Sequence, residues 1–401
     1  MTSMRPAIPF NKPFLVGTEV GYVAEAAEAM HLSGDGVFTR RCQQALEEIT
    51  GTRKALLTTS CTDALEMAAL LLDVRAGDEV IVPSFTFTSS ANAWVLRGAV
   101  PVFADIRPDT LNIDEQQIEA LVTPNTRAIV PVHYAGVGCE MDVIGDIARR
   151  RGIAVVEDNA HGLFGRYRGR PLGSFGVMAT LSFHETKNIS CGEGGALLVN
   201  DPDRVARAEI VREKGTNRAA FFRGQIDKYT WVDVGSSYLP SDIVAAFLWA
   251  QIEAADAIQR RRSSIWKRYA DALPEWAARE GVQLPLVPMH CEQPGHLFYL
   301  VMPSEADRDG IIGHLRQRGV SSVFHYLPLH ASPMARQWPL RAPCPVAESV
   351  SARLVRLPFF TALDAAAQDA VIEAVTSYRA RSSSDRLSTA AGVAYPADKS
   401  V

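Results

Sequence analysis

Between residues 54 and 200, short β-branched apolar runs alternate with longer stretches of helical spacing, and this alternation restricts the chain more than any other feature. It is the pattern of βαβ units, whose crossover helices cover both faces of a parallel sheet. The expected strands are KALLTT (54–59), DEVIVP (78–83), VPVFADI (100–106), AIVPVH (128–133) and IAVVED (153–158). Their unbroken hydrophobicity suits strands covered on both sides. Between them, 63–73 and 114–122 place apolar residues at the helical period. VMATLSF (177–183) and GALLVN (195–200) read as neighbouring strands joined by a Gly-rich functional loop.

A different organisation begins at Ser241, where a helical pattern runs to about Ala272 and stops before Pro274, whose ring removes a backbone donor. We expect this helix to bridge a large domain over 1–255, which includes the N-terminal segment, and a small C-terminal α+β domain over 256–380. HLFYLVMP (296–303), GIIGHLRQRGV (310–320) and AAQDAVIEAVTSYRA (366–380) supply the small domain's elements. Residues 381–401 are polar and rich in Ser and Ala, and a loose, flexible tail is expected there. The triplet Arg260, Arg261 and Arg262 is read as a solvated helix face.

Composition narrows the partners. Apolar residues make up 47% and charged residues 21%, a packed globular balance. A net charge of -4 gives no bulk field for a polyanion, so nucleic acid is not an expected partner. The amino terminus, MTSMRPAIPFNKPF, lacks the apolar stretch of a secretory signal, and the apolar patch at 243–250 is far too short to span a membrane. A cytoplasmic protein without a membrane partner is expected. Cys42, Cys61, Cys139, Cys191, Cys291 and Cys344 form no C-x-x-C pair and no zinc-type cluster, which points to reduced thiols and no metal.

Three segments carry chemistry. In TTSCTDALEMAALL (58–71) a strand ends in small hydroxyl residues just where a helix starts. Ser60 and Thr62 there suit either an anion held by helix-start amides or ordinary N-capping. In VVEDNAHG (155–162), Glu157 and Asp158 close a strand and His161 follows. An acid at a carboxyl strand end faces the ligand crevice of a doubly wound sheet, or is a solvated turn residue. In LSFHETKNISCGEGGALLVN (181–200), Lys187 lies near Gly192, Gly194 and Gly195. Beside an anion cradle and a strand-end acid, this lysine becomes a candidate Schiff-base former rather than a surface charge. Phe85 or Phe87 in PSFTFTSSAN (83–92) offers a ring for stacking or for the core. His325, Tyr326 and His330 in VFHYLPLH (323–330) are candidates for contacting a polar substrate.

In this order the segments resemble fold-type I enzymes that use pyridoxal 5′-phosphate (PLP), and within them the DegT/DnrJ/EryC1/StrS family of nucleotide-sugar aminotransferases. The likeness runs from about Pro9 to about Ser377, and SFHETKN with GEGGALLVN carries it most specifically. LSGDGVFTRRCQQALE (32–47), RPDTLNIDE (107–115), VPVHYAGVGCEMD (130–142), REKGTNR (212–218), FFRGQIDKYTW (221–231) and DVGSSYL (233–239) extend it. The resemblance implies an α/β fold with a large, mostly parallel sheet and a small C-terminal α+β domain. It implies that Lys187 binds PLP covalently, that Asp158 pairs with the ring nitrogen, that Phe87 stacks on the ring and that His161 lies beside it. Ser60, Cys61, Thr62 and Ser182 match the phosphate-binding positions. Ser237 stands where many relatives send an Asn from the neighbouring subunit to the phosphate, and a homodimer with shared sites follows. The implied reaction moves the amino group of L-glutamate to C4 of a 4-keto-6-deoxyhexose carried on dTDP, as in enterobacterial common antigen biosynthesis. Dehydratase relatives replace the lysine with His, so Lys187 favours amino transfer. A PLP-binding regulator is disfavoured because neither terminus reads as a basic helix-turn-helix.

Overall fold

The computed structural model describes residues 8–380, so the tail expected over 381–401 lies outside the described residues. In chain order the strands are β1 (Lys54–Thr58), β2 (Glu79–Pro83), β3 (Val100–Ala104), β4 (Thr126–Ile129), β5 (Ala154–Asp158), β6 (Arg166–Tyr167), β7 (Arg170–Pro171), β8 (Met178–Ser182), β9 (Gly195–Val199), β10 (Cys291–Glu292), β11 (Tyr299–Val301) and β12 (Leu354–Arg356). Seven of them make the central sheet, in the order β1-β9-β8-β5-β4-β2-β3. From β3 across to β8 all pairings are parallel, whereas β9 is antiparallel to both β8 and β1. Helices cover both faces, which is why every residue of β2 and β9 is buried and the sequence shows continuous apolar runs instead of alternation.

Because the parallel strands share a direction, their carboxyl ends lie along one edge. In the ladder Thr58 pairs with Gly195, and Gly195 pairs with Ser182. Asp158 pairs with Thr180 in the adjoining ladder. Strand ends separated by 124 residues of sequence (182 − 58) thereby become neighbours, at the place where open α/β sheets bind ligands.

The helical pattern expected from Ser241 to about Ala272 is two helices, Asp242–Glu253 and Ala255–Ala272, broken at Ala254. Together they serve two cores, and Ala255 and Ile258 of the second helix still belong to the core of the first. Ala245, Leu248 and Ile252 pack with Phe38, Leu46 and the sheet residues Leu57 and Leu181, while Ile265 and Tyr269 pack with Phe298, Ile311 and Val371. Arg262 departs from the solvated face expected for its triplet. Arg260 and Arg261 are exposed, but Arg262 falls in the buried stripe with Ile258, Ile265 and Tyr269 and is 2% exposed. There it donates to the carbonyls of Gly295 (2.8 Å) and His296 (2.7 Å) and to Thr361 Oγ1 (3.2 Å), which satisfies a charge that burial alone would reject.

Beyond this helix, β11 and β12 pair antiparallel and are flanked by helices Glu305–Gln317 and Ala365–Thr376. Leu354 of this ribbon joins the apolar core of the large sheet, together with Tyr299 and Val301, whereas Val355 and Leu300 face the other core. The ribbon therefore shows one face to each. No helix among the described residues is long and apolar enough to cross a membrane. All six cysteines are unpaired.

Candidate active site

The site is built from the end of β1 outward. Helix Cys61–Leu71 starts three residues after Thr58, and Ser60 holds extended dihedrals at its N-cap. Ser60 Oγ accepts the Asp63 amide at 3.0 Å, and its carbonyl accepts Ala64 at 3.3 Å. Ser60 is thus an N-cap, as one of its two expected roles requires. The amides of Cys61 and Thr62 have no acceptor among the described residues and sit at the positive end of the helix dipole, an arrangement suited to an anion. Thr62 Oγ1 shares a 2.7 Å hydrogen bond with Ser89 Oγ. Gly195 of β9 lies directly against this turn, and a Cβ there would stand 2.3 Å from the Ser60 carbonyl carbon and 2.4 Å from the Cys61 nitrogen. Only glycine lets the strand approach so closely, and that approach also brings Ser182 to the same edge.

Asp158 ends β5 and is 5% exposed. Ser90 Oγ donates to its Oδ2 at 2.7 Å and the Ala160 amide to Oδ1 at 3.2 Å. Since the Ser90 proton is spent on the acid, the Thr86 hydroxyl donates to Ser90 at 2.8 Å. Across the ladder, Thr180 Oγ1 accepts from Cys61 Sγ at 3.4 Å, which ties the acid's strand pair to the anion cradle. Glu157 points to the opposite face. It accepts from the amides of Gly173, Phe175 and Gly176 at 2.6–2.8 Å and pairs with His133 Nε2 at 2.9 Å. Neither acid is a solvated turn residue. Glu157 holds the following loop and Asp158 faces the crevice.

Lys187 sits in a turn closed by its amide on the His184 carbonyl, at 2.9 Å. Its amine enters no ion pair or hydrogen bond among the described residues. Burial lowers its proton affinity to about 8, with the charge of Arg356 adding to the drop and that of Asp158 opposing it. The same burial keeps the Cys61 thiol protonated, pushed up to about 12.

Aromatic side chains wall the chamber. Phe85 is 1% exposed and packs on Tyr134 at 5.3 Å, so it belongs to the core. Phe87 is 58% exposed, with its ring 6.3 Å from that of Tyr326. His161 stacks on His296 at 4.2 Å. Its Nε2 lies 3.5 Å from the Tyr326 hydroxyl, and its buried Nδ1 has no partner. His325 stacks on Tyr326 at 3.6 Å and shares a 2.8 Å hydrogen bond with the Tyr134 hydroxyl. Burial drives His161, His296 and His325 well below the ordinary histidine range, so all three are neutral near pH 7.

Two candidates stand apart. His330 is engaged by Ser84 Oγ at 2.5 Å and Glu348 at 2.9 Å, and makes no ring contact with the aromatic wall. Ser237 is exposed, and the carbonyl of the next residue, Tyr238, accepts the Thr59 amide at 2.9 Å, which places this segment beside the cradle. Sequence reasoning passed over Ser90, Tyr134, Thr180, Asn188, His296 and Arg356. Asn188, adjacent to Lys187, bonds His296 Nδ1 (2.9 Å) and the Pro294 carbonyl (2.8 Å), and so fastens the lysine's turn to the start of the C-terminal elements. Ser90 and Asn188 lie inside segments already singled out, where the hydroxyl-rich run SFTFTSS and the polar neighbour of the lysine were the available signals.

The parts fit a phosphorylated heteroaromatic aldehyde. Amides and hydroxyls at a helix start would suit its phosphate, a buried acid its ring nitrogen, an exposed phenyl ring its π face and a lysine of lowered proton affinity its aldehyde. A family model of DegT/DnrJ/EryC1/StrS aminotransferases matches residues 15–376. The structure is also similar to the putative sugar aminotransferase Spr1654 of Streptococcus pneumoniae in its PMP form, at 27% identity, covering 92% of this chain and 98% of that one, with a TM-score of 0.85. S. venezuelae DesV is 30% identical, with 92% of this chain and 98% of that one covered and a TM-score of 0.84. TlmJ of Streptoalloteichus hindustanus is 28% identical, with 93% and 98% covered and a TM-score of 0.84. With that match over most of its length and a chamber whose groups suit the cofactor, this chain belongs to the DegT/DnrJ/EryC1/StrS aminotransferase family, PLP-dependent enzymes of fold type I.

Proposed function

We propose that the enzyme transfers the amino group of L-glutamate to C4 of dTDP-4-keto-6-deoxy-D-glucose, giving dTDP-4-amino-4,6-dideoxy-D-galactose and 2-oxoglutarate. The observation that supports this reading is that the Lys187 amine lies within electrostatic reach of both Asp158 and Cys61, the residue that opens the cradle helix. Bound PLP supplies an aldehyde that takes up amines and a protonated ring that draws electrons from the adjoining carbon. Around it the chain's own residues divide the work. The Cys61 and Thr62 amides, with the hydroxyls of Ser60 and Ser182, hold the phosphate, and Ser237 replaces the asparagine used by many relatives. Asp158, fixed by Ser90 and the Ala160 amide, keeps the ring nitrogen protonated. Phe87 and His161 cover the ring. Lys187 removes the proton from the donor's Cα in one half-reaction and returns a proton to the sugar's C4 in the other. Protonation of C4 from the equatorial side sets the amino group axial, the galacto configuration. His325 and Tyr326 contact the sugar, and His330, held by Ser84 and Glu348, supports that wall from behind.

The choice of sugar rests on the likeness of FFRGQIDKYTW and DVGSSYL to dTDP-4-amino-4,6-dideoxygalactose transaminase, and with it a place in the assembly of enterobacterial common antigen. Relatives described as sugar aminotransferases support the substrate class. A cytoplasmic homodimer completes the reading, supported by exposed aromatics at 222–231 and by the position of Ser237 at the chain's surface. The test is incubation with L-glutamate and dTDP-4-keto-6-deoxyglucose, followed by NMR of the sugar. Axial nitrogen at C4 is expected. Equatorial nitrogen, or no reaction with this ketone, transfers the assignment to another keto sugar. Purified protein that takes up no PLP, or a Lys187→Ala variant in which borohydride still fixes the cofactor covalently to the chain, defeats the scheme.

A further inference from the structure

In the proposed chemistry Lys187 must meet a ring held by other elements, so the placement of its turn matters as much as its proton affinity. The backbone of that turn is closed by itself. The Glu185 amide donates to the Gly192 carbonyl and the Cys191 amide to the Phe183 carbonyl, each at 2.9 Å, and Ile189 is buried in the core beside the sheet. The side chain that follows the lysine leaves the turn. Asn188, 8% exposed, reaches Pro294 and His296, which lie 106 and 108 positions away. The Pro294 carbonyl can only accept, so the groups that face it, Asn188 Nδ2 at 2.8 Å and Gln259 Nε2 at 3.0 Å, both donate. Those two bonds orient both amides. Gln259 Oε1 then takes the second Asn188 proton at 3.2 Å, and Asn188 Oδ1, an acceptor, faces His296 Nδ1 at 2.9 Å. The ring proton of His296 therefore sits on Nδ1. Burial keeps that ring neutral, which leaves Nε2 bare. Arg262 holds the Gly295 and His296 carbonyls, and His296 stacks on His161 at 4.2 Å. One buried amide thus joins the lysine's turn to a wall of two neutral histidines.

We infer that Asn188 is a positioning residue, which sets the reach of the Lys187 amine relative to the wall formed by His161 and His296. This deepens the proposed function and rests on its assignment of Lys187. Two measurements on Asn188→Ala test it. When the PLP-loaded enzyme is mixed rapidly with L-glutamate, the limiting rate should fall roughly 10- to 100-fold, the scale of a misplaced reacting group, while the half-saturating donor concentration stays within about 2-fold. In cofactor-free protein, covalent capture of PLP, trapped with borohydride at timed intervals, should slow by about 10-fold or more, whereas pyridoxamine 5′-phosphate, which forms no bond to the lysine, should bind within about 2-fold of native. His296→Ala should give the same pattern, and the double variant should be no slower than the slower single one, because the two side chains act as a unit. Gln259→Ala keeps the bonds of Asn188 to His296 and Pro294, so its limiting rate should stay within about 3-fold of native. A native limiting rate in Asn188→Ala overturns the inference. So does equal weakening of PLP capture and pyridoxamine 5′-phosphate binding with a lowered melting temperature, which reduces Asn188 to a structural clasp. Independent, multiplying effects of the two alanine variants also overturn it. Every readout uses L-glutamate or the cofactor alone, so failure of dTDP-4-keto-6-deoxyglucose to react defeats the proposed sugar and leaves the role of Asn188 standing.

Discussion

Asp158 and Lys187 show two ways in which a fold prepares a single ionisable group. The acid is oriented by donors from Ser90 and Ala160 and stays able to face a cation. Replacing it with asparagine keeps the shape and removes the charge, so Asp158→Asn should still take up PLP but lose turnover. Breaking a buried charge pair costs about 3–5 kcal/mol, equivalent to roughly 10²–10⁴-fold in kcat. Near-native kcat with full cofactor content would remove Asp158 from the proposed role. The lysine is prepared by burial, which lowers its proton affinity to about 8. Because the charged form is the one disfavoured, the reactive free amine accumulates as pH rises through about 8, whereas an ordinary lysine waits until about 10.4. The rate of PLP uptake by cofactor-free protein should therefore climb to a plateau with a midpoint near 8, and a midpoint above about 10 contradicts this environment. Both residues were legible in the sequence because each closes or follows an apolar strand whose end is locally marked. Arg356, His296 and Tyr134 were not. Their meaning depends on the docking of β11 and β12, which brings residues 134, 296 and 356 together from distant parts of the chain.

At the scale of elements, the close contact between β9 and the start of helix Cys61–Leu71 governs the cradle. Gly195→Ala places its Cβ within 2.4 Å of backbone atoms on both sides of the Ser60–Cys61 peptide, and neither can retreat as a flexible side chain would. We expect a loss of about 1–3 kcal/mol in stability, as for other overpacked sites, and weaker PLP retention on dialysis because the displaced atoms are the anion donors. Gly313→Ala is the matched control. It lies inside helix Glu305–Gln317 with nothing within 4 Å of the added Cβ, so it should be neutral or stabilise by up to about 1 kcal/mol. If denaturant titration finds the two variants alike, the cradle does not depend on that contact. The strands themselves were readable because burial on both faces removes alternation, and the N-cap at Ser60 was readable because capping is local. The break at Ala254 was not. No Gly or Pro marks it, and the change of core falls later, between Ile258 and Ile265 of the second helix. Arg262 was misread for a related reason: its neighbours in sequence are solvated, and only the carbonyls of Gly295 and His296, brought up from beyond Pro274, give its charge a buried home.

At the scale of the whole molecule, the segment after helix Val205–Arg212 does not bury its own apolar surface. Phe222 is 69% exposed, Tyr229 50% and Trp231 77%, with Val232 and Val234 exposed beside them. Scattered apolar residues need no explanation, but several exposed aromatics close together in sequence, on a short helix and the loop after it, suit an association surface. The loop is continuous in sequence with Ser237 and, through the Tyr238 carbonyl, with the cradle strand, so whatever covers it lies close to the proposed phosphate cradle. On the homodimer proposed above, a second copy of the chain is the occupant. Sedimentation equilibrium should accordingly give about twice the 43.7 kDa chain mass. The double variant Phe222→Asp, Trp231→Asp should shift the protein toward monomer and release PLP more readily, because association and cofactor retention are coupled through that one loop. Native protein that sediments as a fully active monomer would separate the loop from the site and return the completion of the chamber to a single chain.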